Sequence, residues 1–157
     1  MSKKKKKSPR EFQSFMFLIT SKHLGYSFGL DKTHYPQGPY SEHANLEIQG
    51  HCSYPPKLRG EKFTLRFLGN RNLEKVLNND EDISYEPLNV GKLTRRGDTR
   101  NFLGSLSFSV IWKINDLIDR NKIDVVDLKG TKLRYGSSDI WHVSFYCLFD
   151  IDEDDYL

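Results

Sequence analysis

Apolar and polar residues alternate along most of this chain, in short runs broken by turn-forming residues. Phe63, Leu65 and Phe67 are interleaved with Lys62, Thr64 and Arg66, the period-two pattern of a strand with one buried face. Leu46 and Ile48 keep the same rhythm, with Asn45, Glu47, Gln49 and His51 on the opposite face. Residues 45–68 therefore predict a hairpin whose connection holds Tyr54-Pro55-Pro56 and Gly60. Phe102, Gly104, Leu106 and Phe108 alternate with Ser105 and Ser107. Trp141, Val143, Phe145, Cys147 and Phe149 mark a long final strand, with His142, Ser144 and Tyr146 facing the other way. Shorter strand-like pieces fall at Ile83 to Tyr85, Val90 to Leu93, Ile123 to Leu128 and Thr131 to Tyr135.

Two stretches near the start differ. Phe15 to Ile19 is an unbroken apolar run, which predicts a strand buried on both faces. Leu24, Tyr26, Phe28 and Leu30 then alternate with Gly25, Ser27 and Gly29, so one face is large and apolar and the other nearly bare. The period changes once. Val110, Ile111, Ile114, Leu117 and Ile118 form a helical stripe, with Ser109 placed to cap its start and Arg120 and Lys122 near its end. The pattern predicts an α+β fold, predominantly antiparallel β: about eight strands in a sandwich or partly open barrel, with one helix near 110–120. A single helix does not support a parallel βαβ architecture.

The chain has 157 residues, which suits one domain; 12–149 is its predicted extent. Aromatic residues make up 13%, too many for a wholly disordered chain. No apolar run approaches the ~18 residues of a membrane helix, so no membrane insertion is expected. Cys52 and Cys147 are too few for a disulfide framework, and no secretory signal follows the basic start, so the expected location is cytoplasmic.

The net charge of +3 is unevenly spread. Lys3, Lys4, Lys5, Lys6, Lys7 and Arg10 against Glu11 leave residues 1–11 at +5, a predicted solvated basic arm. Asp150, Asp152, Glu153, Asp154 and Asp155 leave residues 150–157 at −5, a predicted frayed acidic tail.

Phosphate-binding glycine loops, metalloprotease helices and nucleophile elbows are all missing from the sequence, which favours a non-enzymatic interaction module without cofactor. Three surfaces are candidates. The Pro- and Tyr-rich loop 31–43 offers Tyr35, Pro36, Pro39 and Tyr40 to an unidentified protein partner, since tyrosines give rigid contact area and prolines lower the ordering cost. Alternatively, Lys3 to Lys7 with Lys92, Arg95, Arg96 and Arg100 make a nucleic-acid footprint, with Phe102 just beyond as an aromatic to stack on a base. The weakest candidate is a metal- or histidine-dependent site of His34, His43 and His51, which are nine and eight residues apart. Cys147 reads as a small buried hydrophobe rather than a nucleophile.

Overall fold

The structure, a computed structural model, describes residues 11–30, 40–70 and 90–148. They build strands β1 (Phe12–Leu30), β2 (Tyr40–Tyr54), β3 (Lys62–Asn70), β4 (Gly91–Arg96) and β5 (Thr99–Ser107), then helix α1 (Phe108–Asp119), then β6 (Val125–Thr131) and β7 (Ser137–Tyr146). The seven strands close into one barrel in the order β1-β2-β3-β5-β4-β7-β6. All neighbours are antiparallel except β3 and β5, which run parallel from Thr64↔Asn101 to Asn70↔Ser107. The alternating runs thus form the mainly antiparallel sheet they predict, closed upon itself.

Alternation sends one face of each strand inward. Phe15 and Phe17 of β1, Leu46 and Ile48 of β2, Phe63, Leu65 and Phe67 of β3, Leu93, Phe102, Val126, Leu128 and Ile140 are all buried in one core. A barrel of about this size has an interior that side chains just fill. Phe67 stands at its centre, with ring centroids 5.3 Å from both Phe102 and Phe145, while Phe17 meets Phe63 at 5.1 Å.

The predicted double-sided burial of Phe15 to Ile19 does not occur. Phe15 and Phe17 are buried, Met16 and Ile19 only partly, and Leu18 is exposed. The segment is an ordinary one-sided strand because the barrel has a single interior. It continues without a break into the second apolar stripe, so β1 is 19 residues long. Two register shifts interrupt its ladder with β2, one leaving Ser53 of β2 unpaired and the other Thr20 of β1. Gly50 permits the close approach of the two strands: a Cβ there would lie 3.1 Å from the Leu18 carbonyl oxygen.

Beyond the pairing Asn45↔Leu68, β1 and β2 run on as a two-stranded ribbon past the end of β3. Helix α1 packs across this end of the barrel, burying Ile111 and Ile114 in the core. Lys22 of β1 holds it through Asp119 (2.8 Å) and Asn115, and Tyr26 meets Trp112 edge-on at 5.6 Å. The helix begins two residues earlier than Ser109 predicts. Strand β5 runs straight into it, and Ser107 is the N-cap, in extended conformation and without a side-chain cap bond. Its end is a Schellman turn: Asn121 takes a left-handed conformation, and Lys122 N–H reaches back to the Leu117 carbonyl.

Two further expectations change. Thr131 to Tyr135 is not a separate strand but the end of β6 and a turn. In β7 the predicted face of Trp141, Val143 and Phe145 is broken by an irregularity opposite Lys129/Gly130, so Ile140 points inward and Trp141 outward. Cys147 is half-buried rather than in the core. The strand-like piece at 83–85, the basic residues 1–10 and the acidic tail lie outside the described residues.

The irregularity yields a test. A Cβ at Gly130 would strike the Asp139 carbonyl and the Ile140 side chain, whereas one at Gly29 would meet nothing within 4 Å. Overpacking of this kind costs ~1–3 kcal/mol, so Gly130→Ala is expected to lower the thermal midpoint by roughly 3–10 °C, and Gly29→Ala to leave it within about 2 °C. Circular dichroism melts of the two variants check this.

Candidate functional site

Strand polarity decides which residues meet at each end of the barrel. Strands β1, β3, β5 and β7 start, and β2, β4 and β6 finish, at the rim far from α1. Three connections therefore gather there: 55–61 between β2 and β3, 97–98 between β4 and β5, and 132–136 between β6 and β7. Glu11, the first described residue, stands at the same rim, so the lysine-rich segment joins the fold here. Leu148, the last described residue, follows β7 at the other end.

The connections are rich in cations. The first brings Lys57 and Arg59, with Lys62 just after; the second brings Arg95, Arg96 and Arg100; the third brings Lys132 and Arg134. Against these eight stand four acids, Glu11, Glu61, Asp98 and Asp139, which leaves an excess of four positive charges.

Glu61 organises the rim. It accepts from Arg95 Nε at 3.0 Å and from Arg100 Nε at 2.6 Å, so one carboxylate ties the β2–β3 connection to the β4–β5 turn. Arg100 also donates to the carbonyls of Gly97 and Thr99, which fixes the turn itself. Burial of Glu61 opposes its ionisation, but the two guanidinium hydrogen bonds and charges outweigh this and hold the carboxyl below its ordinary 4.5. Arg96 donates from Nε to the Tyr135 carbonyl, which joins the third connection to the second. Lys132 pairs with Glu11 at 3.0 Å and its N–H donates to the Glu11 carbonyl, which fastens the start of β1.

Aromatic rings are exposed on and beside this rim. Phe12 is 79% exposed, Tyr135 94%, Tyr54 47% and Trp141 39%. These rings and Lys129, Lys132 and Arg134 were not singled out by sequence reasoning. The signal available was the clustering of Lys129, Lys132 and Arg134 within six residues, followed by Tyr135.

The structure places the sequence candidates as follows. Arg95, Arg96 and Arg100 are brought together at the rim, with two of them held by Glu61. Lys92 stands apart on the outer wall of β4, where it and Arg100 line a groove of ≈ 650 Å³ that also holds Glu47 and Arg66. Phe102 is 1% exposed and packs inside the barrel, so it cannot stack on a base; its strand position points it inward. Lys3 to Lys7, His34, Tyr35, Pro36 and Pro39 lie outside the described residues, and Tyr40 is described only as the first residue of β2.

His43 and His51 sit on one face of β2, eight residues and about 27 Å apart at ~3.4 Å per residue. Cys52, next to His51, points to the opposite face and is buried. Burial pushes its thiol up to about 11, so it stays protonated and inert. Among the described residues, no group of three His, Cys, Asp or Glu side chains is placed to hold a metal. The polar row Glu47, Gln49 and His51 is a wall network: Gln49 donates to Glu47 and accepts from Thr64, and Glu47 pairs with Arg66 at 2.9 Å.

Comparison with known proteins adds no assignment: no family model, no curated protein and no solved structure matches this chain.

The Glu61 pairing carries a pH signature. Because folding lowers the Glu61 pKa, its stabilisation is complete above the unfolded value near 4.5 and is lost as pH falls through the lower folded value. Glu61→Gln should therefore destabilise the protein at neutral pH, by an amount between the ~0–1 kcal/mol of exposed ion pairs and the ~3–5 kcal/mol of breaking buried ones. The gap to wild type should close below pH 4.5. Urea titrations of both proteins across this range measure it.

Proposed function

We propose that this chain is a nucleic-acid-binding protein that takes the phosphate backbone on its basic rim. The observation that carries the reading is the convergence of cations from three separate connections on one end of a closed barrel, beside exposed aromatic rings. Phosphate contacts by Lys and Arg supply most of the affinity of such proteins, and rings beside them offer surfaces to bases. The rim is also where residues 1–10, with five lysines and Arg10, join the fold, so both sources of positive charge are connected. Arg95 and Arg100 have a double role: they neutralise Glu61 and hold the turns in place, while Lys57, Arg59, Lys62 and Arg134 present their charge outward. The protein-partner reading of the loop 31–43 draws on residues outside those described, and the rim is the surface whose chemistry the described residues spell out.

Counterion release makes the proposal measurable. With an excess of four charges, log K should fall against log salt with a slope of roughly −3 to −4. Arg59→Ala with Arg134→Ala should flatten that slope by about 0.7–0.9 for each phosphate no longer neutralised. Deleting residues 1–10 should weaken binding further. Fluorescence anisotropy of mixed-sequence oligonucleotides between about 50 and 200 mM salt reads all three. Absence of binding to either single-stranded or duplex oligonucleotides, or binding that ignores salt, overturns the reading.

A further inference from the structure

The outer wall formed by β1, β6 and β7 carries a groove of ≈ 580 Å³ that opens beside the basic rim. Phe12, Tyr54, Trp141, Lys129 and the Glu11–Lys132 ion pair line it. Three rings on the outside of a barrel call for a reason, because an outward strand face is ordinarily polar where it meets water. Each ring arrives from a different strand. Phe12 begins the outward row of β1, and Tyr54 ends β2 opposite Met16. Trp141 is turned outward only because the ladder is irregular opposite Lys129/Gly130; regular alternation would have pointed it into the core in place of Ile140. Phe12 and Trp141 meet at 5.2 Å with their planes at 85°. In an edge-to-face pair only one ring face is covered by the other ring, so flat apolar surface remains open to the groove. Lys129 and Lys132 flank it from β6 and the residue after it.

Building on the nucleic-acid reading of the rim, we infer that this groove is a base-stacking subsite that selects single-stranded over duplex nucleic acid. In a duplex both faces of each base are already stacked within the helix. Only an unpaired base can turn a face to Phe12, Trp141 or Tyr54, while Lys129 takes the adjoining phosphate and Lys132 stays paired with Glu11. Rings select strandedness and cations supply affinity, so the two contributions separate under mutation.

The experiment uses the full chain with a labelled homothymidine oligonucleotide and a blunt mixed-sequence duplex of the same length. Single strand is expected to bind more tightly than duplex at every salt concentration. Phe12→Ala and Trp141→Ala, both on the solvated wall, should each weaken single-strand binding by roughly 5- to 100-fold. They should leave duplex affinity and the salt slope unchanged. In a Trp112→Phe background, Trp141 becomes the sole tryptophan, and its fluorescence should be quenched by the homothymidine strand and not by the duplex. Duplex and single strand bound equally well, with neither ring substitution affecting the single strand, would overturn the stacking subsite while leaving the rim in place. No binding of either oligonucleotide removes the rim reading and the subsite with it.

Discussion

Pairing of β1 on both sides is what turns seven strands into a barrel. Its first half hydrogen-bonds to β6 from Phe12 to Leu18, and its later part hydrogen-bonds to β2 from Met16 onward. Only from Met16 to Leu18 does the ladder run on both sides. That stretch, with Phe15 and Phe17 driven inward, is where closure is made. The gain is double: the aromatic core is enclosed, and the two edges of an open seven-stranded sheet vanish. Loss of one Phe from this core would cost about 3–5 kcal/mol. That exceeds what the Glu61 pairing contributes, so packing holds the barrel and the rim ion pairs refine it.

Closure also explains how the candidate site is assembled. In a closed barrel, strand polarity forces every second connection to the same end, whatever the distance in sequence. Lys57 and Arg134 are far apart along the chain and share a rim for that reason alone. The repulsion of crowded cations is relieved locally. Glu61 stands between Arg95 and Arg100, and Glu11 beside Lys132, so two carboxylates offset part of the charge of these three cations and the outer cations keep theirs.

The fold was largely legible in the sequence because period-two alternation reports which face of a strand is buried. Phe63, Leu65 and Phe67 did so without ambiguity. Alternation misleads where register shifts. Trp141 carries the same alternation as Val143 and Phe145, yet one irregularity moves it to the outer wall. Phe15 to Ile19 looked buried on both sides because apolar side chains on an outward face leave the same trace as a doubly covered strand. The site was less legible. Arg95, Arg96 and Arg100 are close in sequence and could be read as a cluster. Phe12, Tyr54 and Trp141 lie on three strands and have no common signal along the chain. Phe102 was the aromatic beside the arginines by sequence, and its inward position removes it.

The two-stranded ribbon above α1 has a dynamic consequence. From Ser21 to Leu30, β1 has β2 as its only ladder partner among the described residues, and from Tyr40 to Ala44 β2 has only β1. An isolated pair of strands is marginal in water, and here it is pinned near its base by Lys22 and Tyr26. Opening this segment sacrifices one ladder, while opening β3 sacrifices two and exposes Phe67. Backbone amides should therefore trade hydrogen for deuterium first at the ribbon and last along β3 and β5, giving the barrel a slow-exchanging wall beside its soft end.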